Sequence, residues 1–171
     1  YKCEKVQNSQ ATNLSNNGIA YDEQNELIFL SDIGERQIKI FKKDSNNKNN
    51  LVYLNKISTG FAGDNIIIKK DEEGNTILTV GIIANMMESI KFVMDSISLK
   101  KISPKKFPFG AIRIILNKDL NYSNENEIKN IKIEILVIQD EFKGVSSAYQ
   151  IRNKVYLSSW CDDGIVVCKI D

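Results

Sequence analysis

The sequence predicts an all-β fold, a β-propeller of about three four-stranded antiparallel blades with one inserted helix. Three observations carry this expectation. A unit of short strand, turn, longer strand, turn and third strand recurs three times, entered at Asn17-Gly18-Ile19-Ala20, Asn65-Ile66-Ile67-Ile68 and Ser147-Ala148-Tyr149-Gln150. An asparagine (Asn25, Asn75, Asn153) stands at the turn before each longer strand. Period-two patterning marks the strands themselves, as in Gln37-Ile38-Lys39-Ile40. Repetition of a small antiparallel sheet is the signature of a propeller, which gathers equivalent strand ends around one axis.

Taken in order, Tyr1 to Val6 reads as the last strand of a preceding blade. A first blade covers residues 17–60, with Leu51 to Ile57 as its outer strand. A second covers 64–137 and contains an insertion, and a third covers 144–171. In the insertion, Met87, Ile90, Met94 and Ile97 fall at helical spacing from Asn85 to Lys101. Asn85 with Glu88 resembles a capping box, and Pro104 and Pro108 follow the run. The predicted helix 85–101 either packs on the rim or binds a membrane or protein partner; its polar face is mixed rather than basic. Blades of about 40 to 50 residues fill the chain three times, and closed rings use at least four. Residues 1–171 are therefore expected to form about half of a single propeller domain, whose partner is the other half.

The 171 residues are 42% hydrophobic and 26% charged, with a formal net charge of +1. That balance is globular and supplies no electrostatic case for nucleic acid. The Asn runs, Ser45 to Asn50 and Asn121 to Asn130, read as solvated loops. Three cysteines occur, Cys3, Cys161 and Cys168, and each also suits the role of a small buried hydrophobe. Cys161 and Cys168 are poorly placed to bond to each other across the turn at Asp162-Asp163-Gly164.

Chemistry points to one place. Asn17 opens the first strand of one blade, and Asp64-Asn65 opens the first strand of the next. Asn17 and Asn65 are expected at the same repeat position, with Val145 there in the third blade. A carboxylate and two amide carbonyls form a hard, all-oxygen set suited to Ca²⁺ and poorly suited to zinc or copper. Asn-Gly and Asp-Asn are also ordinary turn dipeptides, so a purely structural role stands beside the metal role. Histidine is absent, and no nucleophile with a base at readable spacing, phosphate loop or GxGxxG occurs.

Asn17-Gly18-Ile19, Asp64-Asn65-Ile66 and Gly144-Val145-Ser146-Ser147-Ala148 through Leu157 to Cys168 resemble the C-terminal half of a paraoxonase/arylesterase. The resemblance runs in order over nearly the whole chain. Phe109-Gly110-Ala111-Ile112-Arg113-Ile114 is similar to the microbial variant. It implies a six-bladed, calcium-dependent propeller that hydrolyses lactones and aryl esters. It implies that Asn17, Asp64 and Asn65 bind the catalytic calcium. A Glu, an Asn and the catalytic histidines would come from the N-terminal half. Where members often carry Cys-His-Pro, this chain reads Ile82-Ile83-Ala84, without the pocket-lining histidine. Cys168 matches a family cysteine whose disulfide closes the ring, which implies an oxidising compartment, secreted or in an organelle lumen. The expected function is a lactone or aryl-ester hydrolase; the alternative is a non-catalytic propeller serving as a scaffold or assembly subunit.

Overall fold

The computed structural model describes residues 3, 6, 8–11, 15–47, 50–83, 109–139, 144–160 and 163–170. The expected helix 85–101, Cys161 and most of Tyr1 to Val6 lie outside the described residues; Cys3 and Val6 are described and are not in a strand.

Eleven strands form three antiparallel sheets among the described residues. The first is β1 (Asn16–Asp22), β2 (Leu27–Asp32), β3 (Gln37–Lys43) and β4 (Leu51–Ser58), paired in chain order. The second is β5 (Ala62–Lys70), β6 (Thr76–Ile83), β7 (Phe109–Leu116) and β8 (Lys132–Gln139), again in chain order. The third has β9 (Val145–Ile151), β10 (Lys154–Ser159) and β11 (Ile165–Lys169). It has three strands where four were expected, so the outer edge of β11 has no β partner among the described residues. The first two sheets match the strand spans read from the sequence closely; short turns join β1 to β2, β2 to β3 and β5 to β6, and consecutive strands pair even across residues 84–108 and 117–131.

The turns use one device twice. Asp22 Oδ1 accepts from the backbone N–H of Gln24 (3.2 Å) and Asn25 (3.3 Å) between β1 and β2. Asp71 Oδ1 accepts from Glu73 (3.0 Å) and Asn75 (2.8 Å) between β5 and β6. A short acceptor side chain thus closes the loop on its own backbone.

Period-two alternation gives each sheet two faces, and the sheets pack face to face. Ala20, Phe29 and Ile40 of the first sheet meet Ile66, Leu78, Val80, Ile112 and Ile114 of the second in one buried cluster. Phe109 and Ala111 of the second meet Ala148, Val155 and Leu157 of the third in another. β6 is buried along nearly its whole length because both of its faces are covered.

The run Asn121 to Asn130, expected as a solvated loop, holds a short helix, α1 (Glu125–Lys129). Asn124 caps it, accepting from Asn126 N–H at 3.1 Å and donating to Glu127 Oε1 at 2.7 Å. Ile128 is buried against the first sheet, and that burial stabilises a single turn too short to stand alone. Five residues are too few for a helical period to show in the sequence.

One fully buried ion pair ties the front of the chain to the first sheet. Lys39 Nζ lies 2.8 Å from Asp32 Oδ2, with both side chains almost wholly out of water. Lys39 also donates to the carbonyl of Gln10 (2.9 Å), and Ser15 Oγ donates to Asp32 (2.5 Å). Burial alone would raise Asp32; hydrogen bonds from Lys39, Ser15 and the Glu35 N–H outweigh it and hold the carboxyl at about 2. A carboxyl depressed on folding stabilises the fold above its unfolded value and loses that contribution as pH falls through the folded one. Stability should therefore fall between about pH 4 and pH 2. Lys39→Met leaves Asp32 buried without its counter-charge, with only Ser15 and the Glu35 N–H still donating to it, and should cost about 3 kcal/mol in urea unfolding at pH 7; an unchanged midpoint would show that the pair contributes nothing.

Candidate metal centre

The first strand of every sheet carries a β-bulge at the same place. In the first sheet Asn16 pairs with Asp32 and Ile19 with Leu30, so Asn17 and Gly18 together face Ser31. In the second, Gly63 pairs with Ile82 and Ile66 with Val80, so Asp64 and Asn65 face Gly81. In the third, Val145 pairs with Ser159 and Ser147 with Ser158, leaving Ser146 as the extra residue. A bulge re-aims side chains and ends regular pairing, and bulges are concentrated beside functional sites.

This registration corrects the repeat alignment read from the sequence. Asn17 is equivalent to Asp64, not to Asn65; Gly18 is equivalent to Asn65. Val145 corresponds to Asn16 and Gly63, and Ser146 holds the place expected for Val145. The paired positions Asn16 and Gly63 stand first in β1 and second in β5, so matching the two copies by residue type slips by one.

The bulges sit side by side. Gly18 lies directly on the backbone of Asp64 and Asn65: a Cβ added there would come within 2.7 Å of Asn65 Cα and closer still to the Asp64 carbonyl oxygen. A Cβ on Gly81 would stand 2.9 Å from the Ser146 carbonyl oxygen and 3.2 Å from Ser147 N. Ser31 Oγ donates to the Gly63 carbonyl across 2.6 Å in a buried setting. β1 therefore approaches β5, and β6 approaches β9, backbone to backbone at this level, which requires glycine at position 18.

The expected metal residues meet here with different exposures. Asp64 is 8% exposed and makes no hydrogen bond or ion pair with the described residues. Burial pushes its carboxyl up to about 6. Asn17 and Asn65 are exposed. Asn16, beside Asn17, was not singled out from the sequence, yet its Oδ1 is buried without a hydrogen-bond partner while its amide nitrogen donates to the Ala11 carbonyl at 2.8 Å. Nothing in its residue type distinguishes it from the chain's many other asparagines. Among the described residues no cluster of three or more His, Cys, Asp or Glu side chains could hold a metal, so any cation here would rest on one carboxylate and neutral oxygens. A buried carboxylate without a partner fits that role, because a cation would remove the cost of its charge.

The far ends of the same interfaces are tied by polar side chains. Lys70 Nζ contacts Asp22 Oδ2 at 2.7 Å, and Thr76 Oγ1 donates to the same oxygen at 2.9 Å. Between the second and third sheets, Arg113 donates to Gln150 Oε1 at 3.1 Å. Cys3 and Cys168 are free thiols, with Cys168 half-buried and raised by that burial; no disulfide forms among the described residues. Among those residues no helix is long and apolar enough to cross a membrane.

No family model matches this chain, and no curated protein matches it.

Two outcomes follow from the geometry. Gly18→Ala should destabilise by about 1 to 3 kcal/mol, because the neighbour it strikes is backbone and cannot rotate away; a neutral effect on the melting temperature would contradict the close approach. A carboxyl raised on folding favours the fold below its unfolded value and opposes it as pH rises through about 6. In metal-free buffer Asp64→Asn should therefore stabilise by on the order of 2 kcal/mol at pH 7 and change little at pH 4. Equal effects at both pH values would mean that Asp64 is not held in a desolvating site.

Proposed function

We propose that the three sheets are blades of a six-bladed β-propeller and that the chain belongs to a calcium-dependent hydrolase of lactones or aryl esters, similar to the paraoxonase/arylesterase family. One observation carries the reading: Asp64 is buried, unpaired and flanked by the exposed amides of Asn17 and Asn65 at the junction of two bulged strands. The open faces of the first and third sheets, Ile19 and Tyr21 on one and Tyr149, Ile151, Ile165 and Val167 on the other, support a ring that continues beyond these sheets. Its other half is a stretch of the same polypeptide or a separate chain.

Asn17, Asp64 and Asn65 would hold the ion. Calcium, when bound, supplies positive charge beside an ester carbonyl and so favours the charge that develops on its oxygen. Asp64 contributes the negative charge that anchors the site. The amide oxygens of Asn17 and Asn65, at the exposed side, complete this half of the site and face an incoming substrate. Proton transfer falls to groups outside this chain, which has no histidine.

The scaffold reading keeps one specific support: Ile83 stands where the family often carries a histidine. Turnover decides between the two. Lactone and aryl-ester hydrolysis by the complete protein should vanish on chelation and return with Ca²⁺. Asp64→Ala should abolish it and weaken Ca²⁺ more than Asn17→Ala does, because charge is lost together with an oxygen. Turnover that ignores the chelator would refute the mechanism. Silence across a broad ester and lactone panel, with the melting temperature still raised by Ca²⁺, would favour the scaffold.

A further inference from the structure

We propose that Asn121 is a site of N-linked glycosylation, its carboxamide nitrogen taking an oligosaccharide from a polyisoprenyl diphosphate donor. Asn121-Tyr122-Ser123 is an Asn-x-Ser triplet whose middle residue is not proline, the pattern that this transfer requires. In a chain this rich in asparagine the triplet alone carries little; its placement carries the inference. It lies in the connection between β7 and β8. Tyr122 is turned inward: it packs against the first core cluster, and its ring meets Phe29 edge-on with ring centres 6.5 Å apart. Asn121 and Ser123, on either side of it, are both exposed. The residue that anchors this loop to the core is therefore also the one that presents the triplet to solvent, where an added glycan has room.

The hydrogen bonds of the loop leave the reacting groups free. Asn121 Oδ1 accepts from the Ser123 backbone N–H at 3.1 Å, and the Asn121 N–H donates to Glu127 Oε2 at 2.9 Å. The Asn121 carbonyl accepts from the Asn124 N–H at 2.9 Å. These ties hold the backbone and the amide oxygen, whereas Asn121 Nδ2 and Ser123 Oγ make no hydrogen bond with the described residues. In the transfer, Nδ2 bonds to the anomeric carbon of the first sugar. The bond from that carbon to the diphosphate oxygen breaks, and polyisoprenyl diphosphate leaves with the electron pair. One amide proton passes to a base of the transferase, and nothing is oxidised or reduced. A sugar on Nδ2 displaces no hydrogen bond of the folded loop. The chain's other triplet of this kind, Asn13-Leu14-Ser15, differs in that the Ser15 hydroxyl is committed to Asp32 at 2.5 Å; Asn13 and Leu14 lie outside the described residues. Position also favours Asn121. Leu116 pairs with Thr76, so the connection after β7 lies at the hairpin end of the second sheet, while Asp64 lies at the bulge end, roughly 20 Å along β5 at strand rise. Sugars at Asn121 leave Asn17, Asp64 and Asn65 uncovered. The proposal stands apart from the hydrolase reading and requires only that the chain meet the transferase.

The test is the mass of the complete protein purified from its own cells, before and after peptide N-glycosidase in heavy-oxygen water, followed by peptide mapping. The glycosidase converts each modified asparagine to an aspartate carrying the heavy oxygen, so the label should appear at Asn121. Asn121→Gln and Ser123→Ala, expressed in the same cells, should each lose that glycan entirely. Ser123→Thr, which keeps the hydroxyl, should retain it and so separates loss of the acceptor from loss of folding. Asn121 recovered unlabelled from the wild type, or a label confined to Asn13, would overturn the proposal. Calcium-dependent ester turnover, measured separately, bears on the hydrolase reading alone.

Discussion

The backbone contact at Gly18 constrains the rest of the molecule. Two antiparallel sheets ordinarily pack with about 10 Å between them, filled by side chains. Here neighbouring sheets close to backbone distance at one level, β1 on β5 through Gly18 against Asp64 and Asn65, and β6 on β9 through Gly81 against Ser146. The interfaces are therefore close at these glycines, while Ile40, Ile112 and Ile114 fill the first interface with side chains away from them. The apolar residues fill a space whose shape the glycines set.

Charge is distributed unevenly along the first interface. At the hairpin end of the first interface Asp22 is buried and fully served: Lys70, Asn25 and Thr76 outweigh the effect of burial and lower its carboxyl. At the bulge end Asp64 is buried and served by no described residue. Two aspartates on facing strands thus have opposite shifts for one reason, the number of donors within reach. A fold selected only for stability would not keep the second arrangement, since an unpaired buried carboxylate costs free energy at neutral pH. That cost is the physical content of treating the bulge as a site.

Much of the architecture was legible in the sequence because it is local. Alternation and turn chemistry mark the strands of each sheet, and their antiparallel order follows from short connections. Asp64 was legible as a residue, through the Asp-Asn step at a strand start, but its isolation was not, because it depends on what the facing sheet withholds. The bulge registration was invisible for a related reason: an inserted residue changes pairing without changing composition. The Asn121 to Asn130 run misled for a third reason, as Ile128 needs a groove on another sheet before its turn becomes helical. Local physics was readable; whatever required a second sheet was not.

The chain-order pairing within each sheet has a kinetic consequence. A meander makes its contacts between neighbours in sequence, so most pairings close short loops at small entropic cost, residues 84–108 between β6 and β7 and 117–131 between β7 and β8 being the longer ones. Contacts between sheets then join units already near each other along the chain. A longer closure in the first sheet is the bond from Asn8 to the Leu51 carbonyl, with the Lys39 to Gln10 contact beside it, which lays the front segment back across that sheet. That strap closes the longer loops on the first sheet and gives little until β3 and β4 are in place. It should form late in folding and open early, so that its amides exchange with solvent well before those of β6.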